Sequence, residues 1–323
     1  MTRVALLGTG FGRAHAAIYA ARSDVDVVVV FGRTPEKLTK IRDEFGFATT
    51  TDIDTIYDDP EIDLVDVCLP TGLHADHTVR AVQAGKHVLC ELPLASTMAD
   101  AQRVVDAAAA SDRQVFVDMS GRFDPTSQFL HESITAGTYG PVKTLHIATR
   151  TALLWEGYQI GLDSIAMDVM HGSLDTVATA LGRPDSTIAL GVAKDTGESA
   201  AEVLLTYPAT IVHCSASALM PKPYGLRGGW RAVFTDAVVE SAWTAGYDGQ
   251  PTGTLTEYTP DGVKDIPLAP VDTYTAVIDH VLACLAGHTS SRLDPASVLD
   301  SLQLTLDIHH QLTTGRATDG SLT

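Results

Sequence analysis

Gly8, Gly10 and Gly12 stand in the stretch GTGFG, directly after the apolar run RVALLG and directly before a helical pattern. Glycines at that spacing let the backbone turn tightly and bring its N–H groups up to a pyrophosphate at the start of a helix. Phe11 lies among them, and Arg13 takes the position where a third small residue usually packs helix on strand. A second apolar run, VDVVVVFG, ends in Gly32-Arg33-Thr34. An NAD site normally places Asp or Glu there for the ribose hydroxyls, and neither is present. Gly32 leaves space, and Arg33 with Thr34 suits a 2′-phosphate, because a guanidinium makes paired, charge-assisted hydrogen bonds. These residues predict a dinucleotide site preferring NADP, with NAD possible.

Further on, MDVMHGSLD carries Asp168, His171 and Asp175. On a helix turning about 100° per residue, the two aspartates lie within about 20° of each other and His171 about 60° from Asp168. One face thus gathers an imidazole and two carboxylates. Such neighbours favour the charged imidazole and make it a proton donor near neutral pH. Upstream, LLWEGYQIG offers Trp155 and Tyr158 as pocket walls, the second with a phenol able to donate a hydrogen bond. No residue is assigned as a metal ligand.

The elements that must position these groups follow from the hydrophobic pattern. Up to about residue 121, short continuous apolar runs alternate with helical stretches. That rhythm predicts an α/β domain with a parallel sheet covered on both faces, a Rossmann arrangement. One helix begins TPEKLTKIRDEF, with Thr34 as N-cap and Pro35 in the first turn. From residue 122 to 323 the pattern changes to long strand-like stretches: KTLHIATRT, STIALGVAK, AEVLLTYPATIVHCSASA, WRAVFTDAVVESAW and TLTEYTPDG. They predict an α+β domain with a large, open, mainly antiparallel sheet. A helix near 164–181 is inserted, and helices over 272–287 and 295–314 close the chain and are placed to pack back on the first domain.

The chain of 323 residues is long enough for two cores, and its net charge of −18 argues against nucleic acid, whose phosphates call for clustered Lys and Arg, and against an anionic membrane surface, which would repel it. Four scattered cysteines without a C-x-x-C pair fit a reducing cytoplasm. The start, MTRVALLGTG, enters a strand directly rather than a signal peptide. The expected location is cytoplasmic and the expected partner a small-molecule substrate.

Several stretches together resemble the glucose–fructose oxidoreductase/inositol dehydrogenase/MocA family: GTGFGRAHA, DLVDVCLPTGLHADHTVRAVQAGKHVLCELPLA, RFDPTSQFLHESITAGTYGPVK and MDVMHGSLDTVATALGRP. The likeness runs over nearly the whole chain. It implies a Rossmann domain followed by a domain whose open sheet often forms dimers or tetramers. It places Pro70, Thr71 and His74 in the loop under the nicotinamide ribose, and Glu91 and Pro93 beside the cofactor. The family reads Glu-Lys-Pro at this corner and uses the lysine, with a histidine further on, to move the substrate proton. Here the corner is Glu91-Leu92-Pro93, and Gly172 stands between Asp168 and Asp175 where that histidine is expected.

Both usual acid–base groups are therefore replaced. The resemblance implies an NAD(P)-dependent oxidoreductase acting on a small carbonyl, sugar-like, cyclitol-like or unsaturated substrate. Its proton work passes to His171, Asp168 or Tyr158, or the substrate needs little acid help; Leu92, Trp155 and Asp175 would line the substrate site. The alternative is a dinucleotide- and sugar-binding sensor or partner subunit without turnover. Arg122 matches a family arginine.

Overall fold

The computed structural model describes residues 1–152, 159–245 and 252–315. The chain divides into two compact units, the first comprising Met1–Ser120 and Asp272–Leu299, the second Gly121–Val271 and the residues from Asp300 onward.

In the first unit the apolar runs become parallel strands: β1 (Thr2–Leu7), β2 (Val25–Phe31), β3 (Thr49–Thr50), β4 (Leu64–Val67), β5 (His87–Glu91) and β6 (Val115–Asp118). Between them run α1 (Gly12–Ala20), α2 (Pro35–Phe45), α3 (Asp54–Asp58), α4 (His74–Gln83) and α5 (Met98–Ala109). The strand order is β3-β2-β1-β4-β5-β6, the doubly wound order with its reversal between β1 and β4. Strands covered on both faces have no polar side to show, and β4 is buried at all four positions. Leu6, Val30 and Cys68 pack there against Ala16 and Ile41 from two helices. Thr34 is the N-cap of α2 with Pro35 next to it, but its side chain makes no capping hydrogen bond.

The second unit opens with α6 (Pro125–Ala136), whose N-cap Asp124 accepts a hydrogen bond from the Ser127 amide, and continues into β7 (Val142–Ala152). A π-helical turn over Ala166–Met170 then leads into α7 (His171–Leu181). The remaining strands are β8 (Ser186–Ala193), β9 (Ser199–Tyr207), β10 (Thr210–Met220), β11 (Leu226–Phe234), β12 (Val238–Thr244), β13 (Thr252–Thr259) and β14 (Gly262–Asp265). They form one eight-stranded sheet, β14-β13-β12-β11-β7-β10-β9-β8. Every pairing is antiparallel except β7 with β10. Two of the predicted long stretches are hairpins instead. AEVLLTYPATIVHCSASA reverses between Tyr207 and Thr210, and WRAVFTDAVVESAW between Phe234 and Val238. Alternation along β9 and β10 sends Ala201, Val203, Leu205, Val212, Cys214 and Ala216 into a core shared with Leu130, Met170, Leu174 and Ile308.

Two closing helices follow. The first, α8 (Thr273–Leu285), is capped by Asp272 and belongs to the first unit. The second, α9 (Leu299–Thr314), follows a 3₁₀ turn over Pro295–Val298 that Asp294 caps, and from Asp300 onward it belongs to the second unit.

Candidate active site

The turn from β1 into α1 is built by glycine for steric reasons. Gly8 has φ +120°, and a Cβ there would lie 2.2 Å from the Cys68 carbonyl oxygen. Gly12 begins α1, and its Cβ position is 3.2 Å from the Cys68 Cβ. The loop therefore lies directly on the end of β4. Gly10 is open, and Phe11 projects outward with its ring 5.2 Å from Tyr274 and 5.8 Å from His15. Arg13, in place of a third glycine, donates to both carboxylate oxygens of Glu44 on α2 at 2.9 and 2.5 Å. That ion pair couples the first two helices.

At the end of β2, Arg33 and Thr34 are exposed. Gly32 does not leave open space: a Cβ there would meet the Thr9 methyl at 2.7 Å and Leu38 at 3.0 Å. It is needed because two side chains already fill that side of the backbone. Pro70 is exposed and Thr71 half-buried in the turn after β4. His74, by contrast, is buried, with Nδ1 2.8 Å from the Pro93 carbonyl oxygen and Nε2 2.6 Å from that of Leu69. Its role is to tie the loop after β4 to the turn after β5. The ring thus packs inside the loop after β4, the loop expected under the nicotinamide ribose.

Leu92 is half-buried, and its amide donates to Glu91 Oε2 at 3.0 Å. The Leu92–Pro93 bond is cis. Glu91 points inward rather than at the surface. It meets His15 of α1, Asp66 and Cys68 of the β4 end, and Asp118 of β6, all of them buried. His15 Nδ1 is 2.8 Å from Asp66 Oδ2, which also accepts from the Tyr19 hydroxyl at 2.8 Å. His15 Nε2 is 3.1 Å from Glu91 Oε1 and 3.4 Å from Asp118 Oδ2. Burial, with the neighbouring Asp118 charge adding to it, pushes the Glu91 carboxyl up to about 7 against the pull of His15. Burial and Asp66 likewise raise Asp118. For His15 burial disfavours the charged ring, but the surrounding anions and hydrogen bonds outweigh it and hold its pKa well above the usual value. Nothing in the sequence marks these residues as one cluster, since they come from four separate strand and helix ends.

In the second unit the expected acid–base helix is reorganised. Residues 166–170 form a π turn, in which each residue sweeps a smaller angle than on an α-helix. The uniform 100° spacing assumed for Asp168, His171 and Asp175 therefore does not hold. His171 is buried, with Nδ1 2.8 Å from Thr305 Oγ1. Burial pushes its pKa down to about 4, and the Asp175 charge recovers little because Arg122 opposes it. The expectation of a charged imidazole is thus reversed: His171 is neutral. Asp175 is not open to a substrate either, for Arg122 Nε and Nη2 bond its two oxygens at 2.9 and 2.8 Å. Asp168 is exposed. At Gly172 an added Cβ would meet nothing within 4 Å, so a side chain is sterically admissible there. Trp155 and Tyr158 lie outside the described residues.

Known proteins resemble this chain. Residues 2–119 match the family described as an oxidoreductase family with an NAD-binding Rossmann fold, the glucose–fructose oxidoreductase/inositol dehydrogenase/MocA family. The likeness to the family lies in the N-terminal domain. Among curated members, the chain is 31% identical over 160 residues to D-glucoside 3-dehydrogenase of Escherichia coli strain K12, covering 47% of this chain and 43% of that one. It is 28% identical over 150 residues to myo-inositol 2-dehydrogenase of Thermotoga maritima, covering 46% and 45%. The matched stretch thus spans less than half the length of these relatives. A likeness of fold nevertheless extends along the whole chain. The solved UDP-N-acetylglucosamine 3-dehydrogenase of Acidithiobacillus ferrooxidans superposes with TM-score 0.81 at 23% identity over 95% of this chain and 96% of that one. A levoglucosan dehydrogenase complexed with NADH does so with TM-score 0.80 at 18% identity, covering 97% of each.

Proposed function

We propose that the protein is an NAD(P)-dependent oxidoreductase that transfers hydride to or from a small carbonyl or hydroxyl compound of the sugar or cyclitol class, or a conjugated one. The observation that carries this reading is the glycine turn at the end of β1, held at φ +120° against the Cys68 carbonyl, in a doubly wound sheet of family order. Exposed Arg33 and Thr34, standing directly after β2 where an NAD site carries Asp or Glu, support NADP over NAD.

The proton chemistry differs from the family's. Leu92 and Gly172 carry no proton, and His171 is neutral near pH 7. Among the described residues first expected to do this work, Asp168 is the exposed one, so the reading is hydride transfer assisted by Asp168 or by solvent. Losing a dedicated general acid costs about 10²- to 10⁴-fold in rate, which favours substrates whose developing negative charge is already delocalised. The non-catalytic alternative has one observation in its favour, the double loss at Leu92 and Gly172.

The exposed row Ile188, Leu190, Val192, Leu204 and Ile211 on the open face of the eight-stranded sheet supports assembly into a homodimer or homotetramer. The charge and the free, buried cysteines support a cytoplasmic location. Among the described residues no helix is long and apolar enough to cross a membrane.

The test is a fluorescence titration with NADPH and NADH, then a screen of sugars, cyclitols and unsaturated ketones for cofactor turnover. Turnover of one class, reduced by Asp168→Asn, supports the proposal. Tight dinucleotide binding with no turnover on any class selects the sensor reading.

A further inference from the structure

The strand pairings set a continuous row of outward side chains across the open face of the eight-stranded sheet. It runs from Ile188 on β8 through Leu204, His213, His146 and Arg231 to Glu240 on β12. Its apolar end joins the exposed patch of β8 and β9. The adjacent row, two residues along each strand, is small at its centre, with Ser215, Ala148, Gly229 and Ala242 in register. Small side chains there leave a flat floor onto which a second sheet can pack. Strands about 4.8 Å apart and about seven residues long, eight of them, make a face on the order of 800 Å², what each partner contributes to a standard interface. Edge-to-edge pairing at β8 is blocked, because Gln311 of α9 accepts from the Ala189 amide at 2.8 Å and donates to the Thr187 carbonyl at 3.0 Å. At this end of the sheet the way left open is face to face.

Three basic side chains stand together at the middle of that face. His213 and His146 are directly opposite, their rings 5.4 Å apart and nearly perpendicular, and Arg231 lies opposite His146 on the other side. His213 has an acceptor in Glu202 of β9, its Nε2 2.7 Å from Oε2, and Arg231 has one in Glu240, at 3.4 Å. Among the described residues His146 has none. It faces His213 from β10 and Arg231 from β11, and the next charged side chain on its own side of β7 is Arg150. A proton on His146 therefore has cationic neighbours on both flanks, while Glu202 and Glu240 are a strand further off and already engaged. Partial burial, then His213 and Arg231, hold its pKa below the ordinary histidine value.

We infer that the protein pairs face to face with a second copy of itself through this sheet, and that protonation of His146 in the contact drives the copies apart. The inference rests on the assembly proposed above for this face and adds its control by acid. Covering the face takes water from His146 and leaves Arg231 and His213 beside it, so the assembled form holds the proton less well than the free chain. Dissociation therefore takes up protons. Association is at full strength above the free chain's His146 pKa, which lies below the ordinary value of about 6.5, and weakens as pH falls through it. One proton from each of two copies sets a limit of about 100-fold in Kd per pH unit.

Analytical ultracentrifugation of the full chain at pH 7.5 and pH 5.5, above the range in which buried His171 takes a proton, measures that Kd. It should rise by about 10-fold or more at the lower pH. His146→Gln should assemble with nearly the same Kd at both, and His146→Arg, with a fixed charge, should be weak at both. His213→Gln should keep the acid response, because Glu202 already meets the charge of that ring. An assembled parent whose Kd ignores pH overturns the inference and leaves the assembly standing, and so does a His146→Gln that dissociates with acid as the parent does. A parent monomeric at both pH values overturns the assembly itself and the inference with it. Should the variants misfold, proton NMR of the unaltered protein decides: the His146 ring should titrate at lower pH in concentrated, assembled samples than in dilute, free ones, and equal midpoints overturn the inference.

Discussion

Gly8 in the turn after β1 and Arg33 after β2 carry opposite kinds of constraint. At Gly8 the constraint is steric: φ is +120° and the Cys68 carbonyl oxygen sits 2.2 Å from any added Cβ. Gly8→Ala must move backbone as well as adopt a strained dihedral, so it should cost on the order of 2–4 kcal/mol and abolish dinucleotide binding. Chemical denaturation and NADPH titration of that variant check this; retained affinity would show that the loop relaxes freely. At Arg33 the constraint is electrostatic. Its exposed guanidinium suits a 2′-phosphate, and charge-assisted hydrogen bonds contribute about 1.5–3 kcal/mol. Arg33→Ala should therefore weaken NADPH about 10- to 100-fold and leave NADH nearly unchanged. An unaltered protein that binds NADH as well as NADPH would remove the argument.

The element that departs most from expectation is the helix beginning at Ala166. A π turn precedes α7, and it places His171 against Thr305 of α9 in the core of the second unit. A buried neutral histidine makes stability depend on acid. Its folded pKa of about 4 lies below the ordinary value, so the unfolded chain takes up the proton first as pH falls. The contribution is fully present above about pH 6.5 and is lost progressively down to about pH 4, amounting to roughly 3 kcal/mol. Denaturation of the parent and of His171→Gln at pH 7 and pH 4.5 should show a smaller loss in the variant. Equal losses would assign the acid sensitivity to other groups.

For the molecule as a whole, the eight-stranded sheet has one face in the core and one open. Alternation along β8 turns Leu190 and Val192 outward, 69% and 64% exposed, with Ile188 opposite Leu204 on the neighbouring strand. Leucine, valine and isoleucine side by side on a sheet form the kind of patch that association covers. Leu190→Lys should shift the protein toward monomer in light scattering without altering dinucleotide binding. A parent that is monomeric at micromolar concentration would refute assembly through this face.

The local part of this protein was legible in its residues. Alternating apolar runs foretold the doubly wound sheet and the glycines after RVALLG foretold the turn from β1 into α1, because each signal acts within a few residues of itself, whereas the last helix, expected from 295, begins at Leu299 after a 3₁₀ turn. The reversal at Tyr207–Thr210 was hidden, since its two-residue loop is Pro208-Ala209 rather than the Asn-Gly or Asp-Gly that marks a tight hairpin. The state of His171 was hidden too. Flanking aspartates predicted a charged ring, but the π turn breaks the regular spacing, Arg122 occupies Asp175, and burial outweighs what attraction remains. Only the tertiary structure brings His15, Asp66, Cys68, Glu91 and Asp118 together. They lie up to 103 positions apart in the chain, and parallel strands separated by helices gather at one edge residues that no local pattern relates.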